Sequence, residues 1–191
     1  MADPSLAAKR PIVPEMEIAA RAGVDYLAMK TFLMIFSLLC AVAAYAADSK
    51  TVQLINGEGK AIGSATITSA GKGLDIRLRV QDLSPGQHAF HIHQTASCQT
   101  PDFKSAGPHF NPTNKKHGLK NKKEGHHAGD MQNFSVPATG RAAVNFHNSD
   151  VTLDQLTANG GTALVIHAKA DDMVTDPSGN AGDRIACGEI K

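Results

Sequence analysis

At 191 residues the chain is long enough for one domain built around a single packed core. With 42% hydrophobic and 19% charged residues, its composition excludes both an intrinsically disordered chain and a multi-span membrane protein. Nineteen Lys plus Arg against eighteen Asp plus Glu leave a formal charge of +1, which argues against a nucleic-acid partner and makes any working charge local.

The first element in the chain is an uncharged apolar run at 32–44, FLMIFSLLCAVAA. It is shorter than the roughly 20 residues of a bilayer span. Met29 and Lys30 precede it, and Ala44-Tyr45-Ala46 follows as a small-x-small cleavage site, so residues 29–46 read as a signal peptide cut before Ala47. Residues 1–28 are then an uncertain N-terminal extension, consistent with a start codon set too far upstream. The mature domain is expected to be 47–191, in the periplasm or secreted, with no stable membrane association after cleavage. Cys40 leaves with the leader, so Cys98 and Cys187 remain in an oxidising compartment and should form one disulfide.

Within the mature chain the clearest strand is 74–80, where Leu74, Ile76, Leu78 and Val80 alternate with polar residues at period 2. Similar short runs occur at 51–55, 64–68, 87–93, 142–146, 163–168 and 184–190, separated by Gly, Pro, Asn and Asp clusters. No run shows a 3.6 period, so the pattern predicts an all-β sandwich or barrel. Two segments resist this reading. Residues 94–133 and 169–183 lack alternation, and structureless loops of such length are usually functional.

The histidines fall on these features. His91 and His93 sit at i and i+2 of a predicted strand and therefore share a face. His109, His117, His126, His127 and Asp130 lie in the long loop, and His167 ends a later strand. A loop with so few apolar side chains cannot repay a backbone ordering cost of about 1 to 2 kcal/mol per residue, whereas bound metal can.

AFHIH at 89–93, AGPHFNP at 106–112, HAGD at 127–130 and GNAGDRIACG at 179–188 occur in an order that resembles the copper/zinc superoxide dismutases. The last string, with IHAKADD at 166–172, resembles the bacterial secreted branch. The resemblance covers essentially all of residues 50–191. It implies a Greek-key barrel or sandwich of about eight antiparallel strands with two long functional loops. It also implies one copper and one zinc per subunit: His91, His93, His109 and His167 as copper ligands, and His109, His117, His127 and Asp130 as zinc ligands. His109 would be shared. Only the pattern His-x-Gly-Asp selects His127 over its neighbour His126. Four imidazoles suit copper, and three imidazoles with one carboxylate suit tetrahedral zinc.

The implied reaction is disproportionation of superoxide to dioxygen and hydrogen peroxide. Arg184 matches the family's arginine at the channel mouth. Asp171 matches a carboxylate joining one ligand of each metal, here His91 and His117. His88 matches a histidine with a packing role, and His147 matches nothing. Lys115, Lys116, Lys120, Lys122 and Lys123 flank the zinc ligands and could guide an anionic substrate. The chain departs from the family pattern at Ala89, at Gln94-Thr95-Ala96, and in the step between Cys98 and His109. The competing expectation is a non-catalytic copper/zinc-binding or copper-chaperone-like protein. A zinc hydrolase is disfavoured, since no spare Glu lies near the ligands to act as general base. A monomer or a homodimer is expected.

Overall fold

The computed structural model describes residues 48–191, so the extension and leader assigned from sequence lie outside the described residues. Strands β1 (Ser49–Asn56), β2 (Ala61–Ala70) and β3 (Gly73–Val80) form an antiparallel meander. The chain then crosses to β4 (Gly86–His88) and β5 (Phe90–His93) and, after the long loop, runs through β6 (Phe134–Val136) and β7 (Ala142–Asn148). A short helix α1 (Leu153–Thr157) leads to β8 (Thr162–His167) and β9 (Arg184–Ile190). Seven strands make one sheet in the order β5-β8-β9-β1-β2-β3-β7, and β4 pairs with β6. Each pairing is antiparallel, and the chain crosses from one end of the seven-stranded sheet to the other three times, between β3 and β5, β5 and β7, and β7 and β8, in the manner of a Greek key.

Alternation builds the core. In β3 the apolar set predicted from sequence, Leu74, Ile76, Leu78 and Val80, is buried, and Asp75, Arg77 and Arg79 are exposed. These apolar residues join Leu54, Ile67, Phe90, Ile92, Phe146, Leu164 and Ile166 in one cluster. Phe90 packs on Phe146 at 4.9 Å and on Phe134 at 6.4 Å between ring centroids, so β5, β6 and β7 meet through aromatic contacts.

Three details differ from the sequence reading. The run predicted at 87–93 is two strands, because Ala89 leaves the β4 ladder: its N–H bonds Lys169 O and its carbonyl accepts from His167 N. Strand β6 was not anticipated, since three residues after a long loop show little alternation. Helix α1 was also missed; five residues are too few for a helical period, although Thr152 and Gln155 form a capping box that fixes its start.

Candidate metal centre

Strand β5 is buried on both faces. Phe90 and Ile92 point into the core, so His91 and His93 point the other way, and the two long loops shield them from water. The first loop folds back along β5: Phe110 N donates to Ile92 O at 2.8 Å, Gln94 N to Pro108 O at 3.0 Å, and Ile92 N to Gly129 O at 2.9 Å. This lays His109 opposite His93. On the far side a register shift between Ile166 and His167 sets His167 against Arg184, bringing both to the same face.

Two four-residue clusters result. His91, His93, His109 and His167 form one, and His109, His117, His127 and Asp130 the other, all buried, with His109 common to both. His126 stays outside, its Nε2 on the Asp150 carboxylate at 3.0 Å. His88 is buried between the carbonyls of Ser84 and His167, and His147 is exposed beside Asp75.

The ring tautomers follow from the outward partners. His93 Nδ1 donates to Gly107 O at 2.8 Å, and His167 Nδ1 to Gly182 O at 3.3 Å. Carbonyl oxygens only accept, so each ring carries its proton on Nδ1 and turns a bare Nε2 inward. Those two Nε2 atoms stand 3.3 Å apart, where neither can donate to the other. Asp171 takes N–H from His91 Nε2 at 2.8 Å and from His117 Nε2 at 3.0 Å, which turns both Nδ1 atoms inward. His91 Nδ1 and His109 Nε2 are buried with no hydrogen-bond partner, and His117 Nδ1 meets only Asp130 Oδ1, at 3.0 Å. Orphaned buried nitrogens are costly unless a cation takes their lone pairs.

The second cluster has the dimensions of a tetrahedral site. Ligands at zinc distances of about 2.0 to 2.1 Å stand roughly 3.3 Å from one another. Asp130 Oδ1 lies 2.9, 3.0 and 3.3 Å from the Nδ1 atoms of His109, His117 and His127. His109 and His127 are 3.4 Å apart at Nδ1. The donors fit a zinc ion, and the all-imidazole cluster fits copper.

Electrostatics separate the two clusters. Burial pushes His109 down to about 4 and His167 down to about 3, and it holds His93 well below its ordinary value. Burial also opposes charge on His117, but its bonds to Asp130 and Asp171 win and raise it to about 9. Burial disfavours the Asp130 and Asp171 carboxylates, yet the rings facing them hold both well below the usual carboxylate range. His93, His109 and His167 are therefore neutral imidazoles, and the second cluster is anchored by the fixed negative charge of Asp130.

The loops carrying these groups touch backbone to backbone. A Cβ at Gly118, where φ is 107°, would stand 2.2 Å from Met173 O, and one at Gly179 would fall on the Asp171 carboxylate. Asn133 clamps Asp171, donating to its carbonyl and accepting from its N–H, both at 2.8 Å. Sequence reasoning missed Asn133 because its partner is 38 positions away and nothing local marks it.

Arg184 is half-buried and donates to Phe103 O at 2.8 Å and Gly107 O at 2.7 Å. Cys98 and Cys187 form a disulfide, Cα–Cα 5.6 Å, which ties the loop bearing those carbonyls to β9. Two clefts approach the centre. One of about 520 Å³ is lined by Lys104, Asp183 and Arg184; another of about 430 Å³ reaches His109 between Asn111, Lys115, Lys116 and Asp176. A cleft of about 580 Å³ beside Arg79 and Arg141 lies on the outer sheet face and meets no residue of either cluster.

A family model described as copper/zinc superoxide dismutase matches residues 61–190. A copper/zinc superoxide dismutase of Aquifex aeolicus is 48% identical, the match covering 81% of this chain and 94% of its own. The solved structure of a superoxide dismutase-like protein from Bacillus subtilis aligns with a TM-score of 0.70 at 45% identity, covering 74% of this chain and 97% of that one. The copper/zinc superoxide dismutase from Brucella abortus aligns with a TM-score of 0.65 at 29% identity, over 75% and 100%. With the family-model match over residues 61–190 and these relatives behind it, the chain belongs to the copper/zinc superoxide dismutase family.

Proposed function

We propose that the chain disproportionates superoxide, two anions and two protons giving dioxygen and hydrogen peroxide. The observation that carries this reading is the sharing of one ring, His109, between an all-imidazole cluster and a carboxylate-bearing one. In this reading His91, His93, His109 and His167 hold copper, and His109, His117, His127 and Asp130 hold zinc. When bound, copper supplies a one-electron couple and zinc a fixed positive charge of constant oxidation state.

The protein's own residues do the rest. Asp171 orients His91 and His117 through their Nε2 atoms, so that their Nδ1 atoms are the ones presented to the metals. His109 commits Nδ1 to the Asp130 side, so its unpartnered Nε2 is the nitrogen able to hold and release a proton for the peroxide product. Arg184 spends one N–H on each of two carbonyls and keeps its charge toward the cleft, where it attracts and orients a small anion.

Identity alone does not separate an enzyme from a metal carrier, since the Bacillus subtilis relative is named superoxide dismutase-like. In this chain both ligand sets are complete and Arg184 stands at the cleft, which favours turnover over storage or copper delivery. The reading places the mature domain, residues 47–191, in the periplasm or outside the cell. The leader at 29–46 and the Cys98–Cys187 disulfide support that location. Among the described residues Val174 is the large apolar side chain left exposed, and the proposed state is a monomer or a homodimer.

The test is superoxide decay with purified residues 47–191 loaded with copper and zinc. Rapid, cyanide-sensitive decay that disappears in H109A is expected. Both metals bound without acceleration would leave a metal-carrying protein.

A further inference from the structure

We infer that Asp176 is a positioning residue for the zinc ligands, a latch by which the second loop holds the first. It is deduced from the loop contacts and rests on the assignment of His117 and His127 to zinc.

Four of the five ring-bearing ligands outside the shared His109 have an outward partner within hydrogen-bond range: Asp171 for His91 and His117, Gly107 O for His93, and Gly182 O for His167. His127 is the exception. Its Nδ1 faces the zinc cluster, and the anion nearest its outward Nε2 is Asp176 Oδ1 at 3.9 Å, a charge contact rather than a hydrogen bond. The same Oδ1 accepts from His117 N at 2.8 Å, and Oδ2 accepts from Lys116 Nζ at 3.2 Å. One carboxylate therefore fixes the backbone of one zinc ligand, opposes the ring of a second and pairs with the cation that precedes the first.

The support behind Asp176 is built from within its own loop. Asp172 Oδ1 accepts from Val174 N at 2.9 Å and Thr175 N at 2.8 Å, its Oδ2 accepts from Asn180 Nδ2 at 2.9 Å, and Gly179 N donates to Thr175 O at 2.7 Å. Lys120 N also donates across to Met173 O at 3.1 Å. Asp176 is thus presented by a closed turn toward a loop that, between 111 and 127, has no strand or helix of its own. Asp171 serves both clusters, whereas Asp176 touches only the zinc side. Its loss should loosen zinc and spare the copper ligands.

The experiment measures zinc release to a chelator from the copper- and zinc-loaded protein, alongside melting of the metal-free protein and the visible bands of cobalt placed in the zinc site. D176A should release zinc about tenfold faster, in the range typical of lost outer-sphere partners, and perturb the cobalt bands. D176N keeps an acceptor for His117 N and should fall between D176A and wild type. K116M should release zinc at the wild-type rate. Zinc release from D176A at the wild-type rate would overturn the inference. So would a drop in metal-free melting with unchanged cobalt bands, or K116M losing zinc as fast as D176A. The ligand assignment fails separately, if H127A retains zinc as wild type does.

Discussion

Arg184 and His93 donate to the same oxygen, the Gly107 carbonyl, at 2.7 and 2.8 Å. The cation at the cleft and a ligand of the all-imidazole cluster therefore share one acceptor, on a loop that the disulfide attaches to β9. Arg184 needs a second carbonyl, Phe103 O, to stay in place. A lysine offers one compact ammonium and cannot span both oxygens. R184K should lower kcat/KM on the order of tenfold, the loss of one charge-assisted hydrogen bond, while copper content stays at the wild-type level because His93 keeps its own bond. Pulse radiolysis with metal analysis checks this; an unchanged rate would remove Arg184 from the mechanism.

The disulfide closes a loop of 89 residues. Loops of this length stabilise by roughly 4 to 5 kcal/mol in the chain-entropy view, less any native strain. Cys187 lies with Phe103, Ala106, Ala163 and Val165 in a small buried cluster, so the bond also holds Phe103 over the core. C98S and C187S should each lower the midpoint of urea unfolding. They should also reduce activity by more than metal loss explains, because the two carbonyls that seat Arg184 are set free. Equal specific activity per copper in reduced and oxidised protein would contradict that coupling.

Asp171 accepts one N–H from each of two rings through an ionised carboxylate. An amide in its place has one oxygen and one NH2, so it cannot accept from both. D171N should force one ring, His91 or His117, into the wrong tautomer and weaken metal binding about 10- to 100-fold. Competition titration with a chelator measures it, and retained affinity for both metals would show that the tautomers are set elsewhere.

Lys120, Lys122 and Lys123 are exposed, while Lys116 is tied to Asp176. If these charges guide the anionic substrate, a K120E, K122E, K123E variant should show a lower second-order rate at low salt and a much weaker salt dependence, since screening acts on exposed charges beyond about 10 Å at 0.1 M. Identical salt profiles would mark the lysines as solubilising surface.

Much of this architecture was legible because period 2 is a strong code. Alternation in 74–80 identified β3 and its buried face, and the i, i+2 spacing of His91 and His93 put both rings on one side. The long loop was marked by its lack of pattern. What stayed hidden depends on long-range backbone contact. The Asn133 clamp, the two carbonyls that hold Arg184 and the approach of Asp176 to His117 join residues 38 to 81 positions apart, and none leaves a local trace. The break at Ala89 was invisible for the same reason: the competing partners, Lys169 and His167, come from β8 and the loop after it.

The metal-free protein should have a stability maximum near neutral pH. His109 and His167 are held neutral by burial, down to about 4 and about 3, whereas in the unfolded chain they titrate near 6.5. Below 6.5 the unfolded state binds more protons, so their contribution is complete above that pH and drains away as acid is added toward 4. His117 behaves oppositely. Raised to about 9 by Asp130 and Asp171, it stabilises fully below 6.5 and loses that contribution as pH climbs through 9. Chelator-treated protein, unfolded in urea across pH 4 to 10, should therefore give a bell-shaped midpoint with both limbs falling. In the proposed assignment copper and zinc would take the same nitrogens and compete with protons for them, so the loaded protein should hold its midpoint further into acid until the metals leave. A metal-free profile flat between pH 4 and 6.5 would show that these rings do not stay neutral in the fold.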